Sequence, residues 1–160
     1  MEKTVQIGNK EVRLNNNIGW AIDYRDQFGQ DIIPTLLPMV AAALDLIKGL
    51  LEEVEDTNNL EWRDILRLID GDTLFDALIH LGGLEFRDFI NITWAMAKCA
   101  DDSIPEPRTW VKEFEVFPVD ELAPTVFDLI FKGVVSSKNL TRLKDVKKSL
   151  QPMTDSNYTT

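Results

Sequence analysis

The only histidine in this 160-residue chain, His80, and its only cysteine, Cys99, are the first places to look for chemistry. A base needs a nucleophile to serve and a third group to orient it. His80 sits in an apolar segment before Gly82-Gly83 that offers neither, so a structural or surface role is expected. Cys99 has no CxxC partner and no helix N-terminus to lower its pKa, which points to an inert buried thiol. Asp70-Gly-Asp72 lacks the third acidic ligand and closing Glu of a calcium loop. It is expected to be a helix stop followed by a helix cap. Gly82-Gly83 has no following Lys and no preceding strand, so it is not a phosphate loop. Carboxylates are so abundant that pairing them for hydrolysis carries no signal. The expectation is a non-enzyme with no catalytic residues, no cofactor and no metal.

Two features point instead toward contact surfaces. The first is Ile32–Val54, where Ile33, Leu37, Val40, Leu44, Ile47, Leu51 and Val54 follow one another at alternating steps of four and three. That spacing keeps an apolar seam on one side of a helix. Further rows (Leu36, Ala43, Leu50 and Ile32, Met39, Leu46) widen it into a stripe. Either the stripe is a core helix of its own bundle, as wide stripes generally are, or it receives a helix from outside. The second is Trp110, Phe114 and Phe117, fenced by Pro105, Pro107 and Pro118. This row is either a lid on the domain's own core or an aromatic contact surface. The candidate partner-binding residues are therefore Leu37, Leu44, Leu51, Trp110, Phe114 and Phe117.

The surrounding elements follow from pattern and punctuation. Val5 and Ile7 answer Val12 and Leu14 across Gly8-Asn9-Lys10, a hairpin with Gly and Asn expected to supply positive φ. Because a lone hairpin is marginal, it must lie on helices or pair with another chain. A short helix follows, capped from Asn15-Asn16-Asn17 and ending at Gly29, with Trp20 (or Ile18), Tyr24 and Phe28 inward. In the long stripe, Thr35 caps the helix with Pro38 in its first turn, or an earlier start is kinked there. Further helices are expected over Leu60–Ile69, Thr73–Leu81, Leu84–Ala100 (apolar almost all round, hence central), a short one through Trp110, Asp120–Val135, and Ser137 to about Leu150. The fold class is thus mainly α, a single domain over 1–150 of about six or seven helices with an N-terminal β-hairpin at 4–14. A polar tail follows at 151–160.

The chain is 44% hydrophobic and 28% charged, with a formal charge of −10, which places it with globular proteins. That field repels duplexes and anionic membranes, so neither nucleic acid nor membrane is an expected partner. The charge is uneven: Glu52 to Asp72 is acidic and Lys138 to Lys148 mostly basic. Pro34, Pro38, Asp45, Lys48 and Gly49 argue against a membrane span in the apolar stripe. The first residues lack the basic region and apolar run of a signal peptide. A single cysteine permits no internal disulfide, and the expected location is the cytoplasm.

Taken in order, the pieces resemble the tail assembly chaperones of long-tailed (siphovirus-type) bacteriophages or prophages. The resemblance is carried by Val5-Gln-Ile-Gly-Asn-Lys-Glu-Val-Arg-Leu14, then Tyr24-Arg25-x-x-Phe28-Gly29-x-Asp31-Ile32. It continues through Trp94-Ala-Met-Ala-Lys98, Ile104-Pro-Glu-Pro107, Trp110 with Phe114, and Phe117-Pro118. It covers most of the chain, Val54–Gly83 being the least diagnostic stretch. The resemblance implies a non-catalytic viral protein acting in the cytoplasm of the bacterial host and absent from the mature virion. It implies binding and solubilising the tape measure protein, recruiting tail tube subunits, self-association, and a longer form made by ribosomal frameshifting. The alternative class is a small acidic helical adaptor or regulator of phage or bacterial origin, with a hydrolase third.

Overall fold

A computed structural model of the protein describes residues 1–53 and 85–134. Within them the chain is mostly helical, with a two-stranded antiparallel hairpin and five helices. The helices expected over Leu60–Ile69, Thr73–Leu81 and Ser137–Leu150, the tail 151–160, Asp70-Gly-Asp72, His80 and Gly82-Gly83 lie outside the described residues.

β1 (Glu2–Ile7) pairs with β2 (Lys10–Asn15), Val5 facing Val12 and Ile7 facing Lys10, so the turn is Gly8-Asn9. Gly8 has φ +59°, and no residue other than glycine has a positive φ among those described. Positive φ at the first central position alone is the dihedral sign of a II′ turn, whose twist suits a hairpin. Only Gly8 was needed; Asn9 does not share the role. The inward face of the hairpin carries Ile7, Val12 and Leu14, all buried, and the half-buried Val5. It rests on helices of its own chain, which removes the need for a second chain to cover it.

α1 (Gly19–Phe28) starts in an Asx arrangement, the Asn17 side-chain carbonyl accepting from Gly19 N–H at 3.1 Å, and ends at Gly29 with φ +69°. Trp20 and Tyr24 are buried and Phe28 packs on the core, while Ile18 is exposed and is not an alternative to Trp20. α2 (Ile33–Glu53) begins earlier than Thr35: Asp31 Oδ1 accepts from Ile33 N–H at 2.9 Å, and the Ile32 carbonyl accepts from Thr35 and Leu36. Pro34 lies in the first turn, where its missing donor is harmless. Pro38 lies inside the helix and removes one backbone bond, to the carbonyl of Pro34. Both prolines are exposed, so that carbonyl is on the wet side.

α3 (Phe86–Ala100) is the pivot. Phe89 and the run from Ile92 to Ala97 are buried, Trp94 at 3% exposure, and β2, α1 and α4 (Pro107–Val111) all pack against it. Its one buried hydroxyl, Thr93, donates to the Phe89 carbonyl at 2.8 Å, so the polar atom is satisfied. Trp94 Nε1 donates to Pro105 O at 2.8 Å and Lys98 Nζ to Ile104 O, which ties the 101–106 connection, a turn followed by an extended stretch, to the helix. α5 (Val119–Val134) has Asp120 and Glu121 in its first turn, where carboxylates suit the helix dipole. It buries Leu122, Ala123, Val126, Phe127, Leu129, Ile130 and Phe131.

Candidate functional site

The face that α2 turns inward is made by Ile32 just before it and by Leu36, Met39 and Ala42, with Leu46 packed partly on the core. Within the stripe the described inward positions, Ala42 apart, are thus those of the two flanking rows, and the described members of the leading row face the other way. Ile33 and Leu37 point outward, at 47% and 62% exposure. The side chains of Val40, Leu44, Ile47 and Leu51 lie outside the described set, so of the three candidates on this helix only Leu37 is placed. Around Leu37 the exposed positions are Ile33, Pro34, Pro38 and Ala41, and the helix carries no charged residue before Asp45. Scattered exposed apolar residues are ordinary. An uncharged outer face lasting more than two turns is the feature that sets this helix apart from α1, α3 and α5.

The aromatic row behaves differently. Trp110 is 1% exposed and lies within the main core, while Phe114 and Phe117 are partly buried against it. The three rings form a closed edge-to-face set, with centroids 4.9 Å apart for Trp110–Phe114, 6.1 Å for Trp110–Phe117 and 6.0 Å for Phe114–Phe117. The hairpin closes over them: Lys10 Nζ is 3.0 Å from Glu113 and 5.9 Å from the Phe114 centroid. At the turn itself, a Cβ on Gly8 would stand 3.4 Å from the Val116 carbonyl. Trp110 therefore belongs to the domain's own core and is not available as a contact residue, since folding has already used its face.

Cys99 is half-buried rather than buried. Its Sγ is 3.8 Å from the Asn17 carbonyl, and a Cβ on Gly19 would meet it at 3.4 Å. Desolvation first, and then the neighbouring Asp23 carboxylate, push the thiol pKa up, which keeps it in the less reactive protonated form. Asp23 is itself raised, by desolvation and by Asp102. Among the described residues no group of three His, Cys, Asp or Glu could hold a metal ion. None of their helices is long and apolar enough to cross a membrane.

Two features carry little sequence signal. Ile18, just before α1, and Ile22 within it form an exposed apolar ridge beside Arg25, Asp26 and Asp31. Their i, i+4 spacing could have flagged them, but the Trp20/Tyr24/Phe28 row is the stronger competitor. The other is an ion triad around one buried carboxylate: Asp128, 5% exposed, takes hydrogen bonds at Oδ2 from two half-buried ammonium groups, Lys132 at 2.7 Å and Lys3 at the far end of the chain. No known protein family, characterised protein or solved structure matches the chain.

Proposed function

We propose that the protein is a non-catalytic chaperone of phage tail assembly that holds a tape measure protein soluble and helps recruit tail tube subunits. It would act in the cytoplasm of the bacterial host and be absent from the finished virion. Residues 1–150 would form one domain of about six or seven helices, followed by a polar tail at 151–160. The sequence resemblance is what names the partners. The observation that carries the binding role is the uncharged outer face of α2, with Ile33 and Leu37 exposed above a row that is fully packed. A long amphipathic helix free in water exposes the kind of apolar stripe that aggregates. Laid along an uncharged helical face it would bury that stripe, as in helix-in-groove recognition. Leu44 and Leu51, at heptad spacing from Leu37 in the sequence, are the further positions to substitute. Several weak copies along one client would hold it by avidity, and the net negative charge of the chaperone would keep the complex dispersed.

The test is co-expression with the tape measure protein and measurement of the client's soluble fraction. The wild-type chain raises that fraction, and the complex persists in high salt, because apolar burial is not screened. Leu37→Glu and Ile33→Glu, both at exposed positions, abolish the rescue while leaving the chaperone folded. A client no more soluble with the chain than without it removes the proposal. Rescue that ignores both substitutions moves the binding surface elsewhere.

A further inference from the structure

An open groove of about 530 Å³ runs between α3 and α4, with Phe86, Ile90, Pro107 and Val111 supplying its apolar lining. Asn91 completes the lining together with three cations, Arg87, Arg108 and Lys112, and no carboxylate takes part. In a chain with formal charge −10, a concave site bordered only by positive charge runs against the background. Arg87 is answered outside the groove by Glu85 at 3.2 Å and more loosely by Asp88. Arg108 and Lys112 form no ion pair among the described residues. Glu106 is near enough to feel Arg108, but its oxygens are occupied by Thr109 N–H, the Thr109 hydroxyl and Arg108 N–H in capping α4. The two cations stand four residues apart, a like-charge spacing that mildly disfavours the isolated turn. An anion placed between them would turn that repulsion into attraction.

We propose that this groove docks an acidic segment of a partner protein, with apolar side chains seated on Phe86, Ile90 and Val111 and carboxylates reaching Arg108 and Lys112. The apolar floor supplies area, half-exposed Phe86 being its largest side chain, and the cationic rim selects charge sign and speeds encounter. The site is separate from the outer face of α2 and does not depend on the chaperone role. Its salt response is also opposite: docking here weakens as ionic strength rises.

The probe is a synthetic amphipathic peptide of about four helical turns, with Leu and Phe on one side and Glu on the other. A second peptide carries Lys in place of every Glu. Fluorescence anisotropy against the full chain should detect binding of the acidic peptide and not of the basic one. Arg108→Glu/Lys112→Glu should weaken the acidic peptide about tenfold or more at low salt and create affinity for the basic one. Phe86→Ser, at an exposed position, should weaken the acidic peptide without exchanging the preference. Equal binding of the two peptides, or an unchanged affinity in the double variant, overturns the proposal. So does a chain that self-associates in sedimentation and falls apart on Arg108→Glu/Lys112→Glu, because the groove would then be filled by a second copy.

Discussion

Asp128 is a charge held inside the helical layer by ammonium groups from the first strand and from its own helix. Burial pushes its carboxyl upward, but the hydrogen bonds from Lys132 and Lys3 outweigh that and leave it below the usual carboxylate range. Lys3 lies on the inward face of β1 with Val5 and Ile7, so a cation sits where an apolar residue would be the default. The contact ties the hairpin to α5 on the face that Ile7, Val12 and Leu14 already bury. Because the folded pKa is depressed, the unfolded chain binds the extra proton first as pH falls. The stabilisation is complete above the unfolded value of about 4 and is lost as pH drops through the folded value. Urea midpoints should therefore fall between about pH 5 and 3, and Asp128→Asn should flatten that slope while lowering stability near neutrality by about 2 kcal/mol. An unchanged acid slope in the variant would show that other carboxylates set it. Nothing in the sequence announces this contact: Lys3 and Asp128 are 125 residues apart, and each alone reads as one more surface charge.

At the scale of elements, Trp110 separates the two roles considered for the aromatic row. Buried at the centre of three rings under the hairpin turn, it is a structural residue, so Trp110→Ala should destabilise the fold by about 3 kcal/mol or more in urea titration. Phe114→Ala, at a half-buried ring, should cause a smaller loss. A Trp110→Ala chain as stable as the wild type would mean that the hairpin does not close on the row. The same comparison shows where sequence patterning is sufficient. Alternation in two short runs, with a glycine between them, determines the hairpin register because each strand has one apolar face. The unbroken run from Thr93 to Ala97 in α3, with Phe89 and Ile92 before it, has few polar groups to hold it at the surface, and it is buried. α2 is different: Ile32, Ile33, Leu36, Leu37, Met39 and Val40 are apolar on every side, so periodicity cannot say which row turns inward. Tertiary packing decides it in favour of Leu36 and Met39. The aromatic row was ambiguous for a related reason. A helix as short as α4 has no opposite face to betray its orientation, and it is tertiary packing against the common core that buries Trp110.

For the molecule as a whole, the described parts share one core with α3 at its centre, and the hairpin is covered from within. The hairpin therefore gives no reason to expect association, although its pattern alone had suggested one. What remains is the outer face of α2, where Ile33, Leu37 and Ala41 lie in water one turn apart with no charge among them. Two such faces laid together would bury leucine and isoleucine side chains worth about 2 kcal/mol each if fully covered. That suits a weak, concentration-dependent contact rather than an obligate dimer. Light scattering at tens of micromolar should give a mass above the monomer that declines on dilution. Leu37→Glu should return the chain to a monomer, since a carboxylate there cannot be buried without a partner. Arg108→Glu/Lys112→Glu should leave the mass unchanged, which keeps the α3–α4 groove free for an acidic partner. A chain that is monomeric at every concentration would remove self-association while leaving the same face open to a client helix. A chain whose association survives Leu37→Glu would assign the contact to another surface, the exposed Ile18–Ile22 ridge of α1 being the next to test. In either case the client-solubility measurement remains independent, because it reads what the α2 face does for another protein rather than for itself.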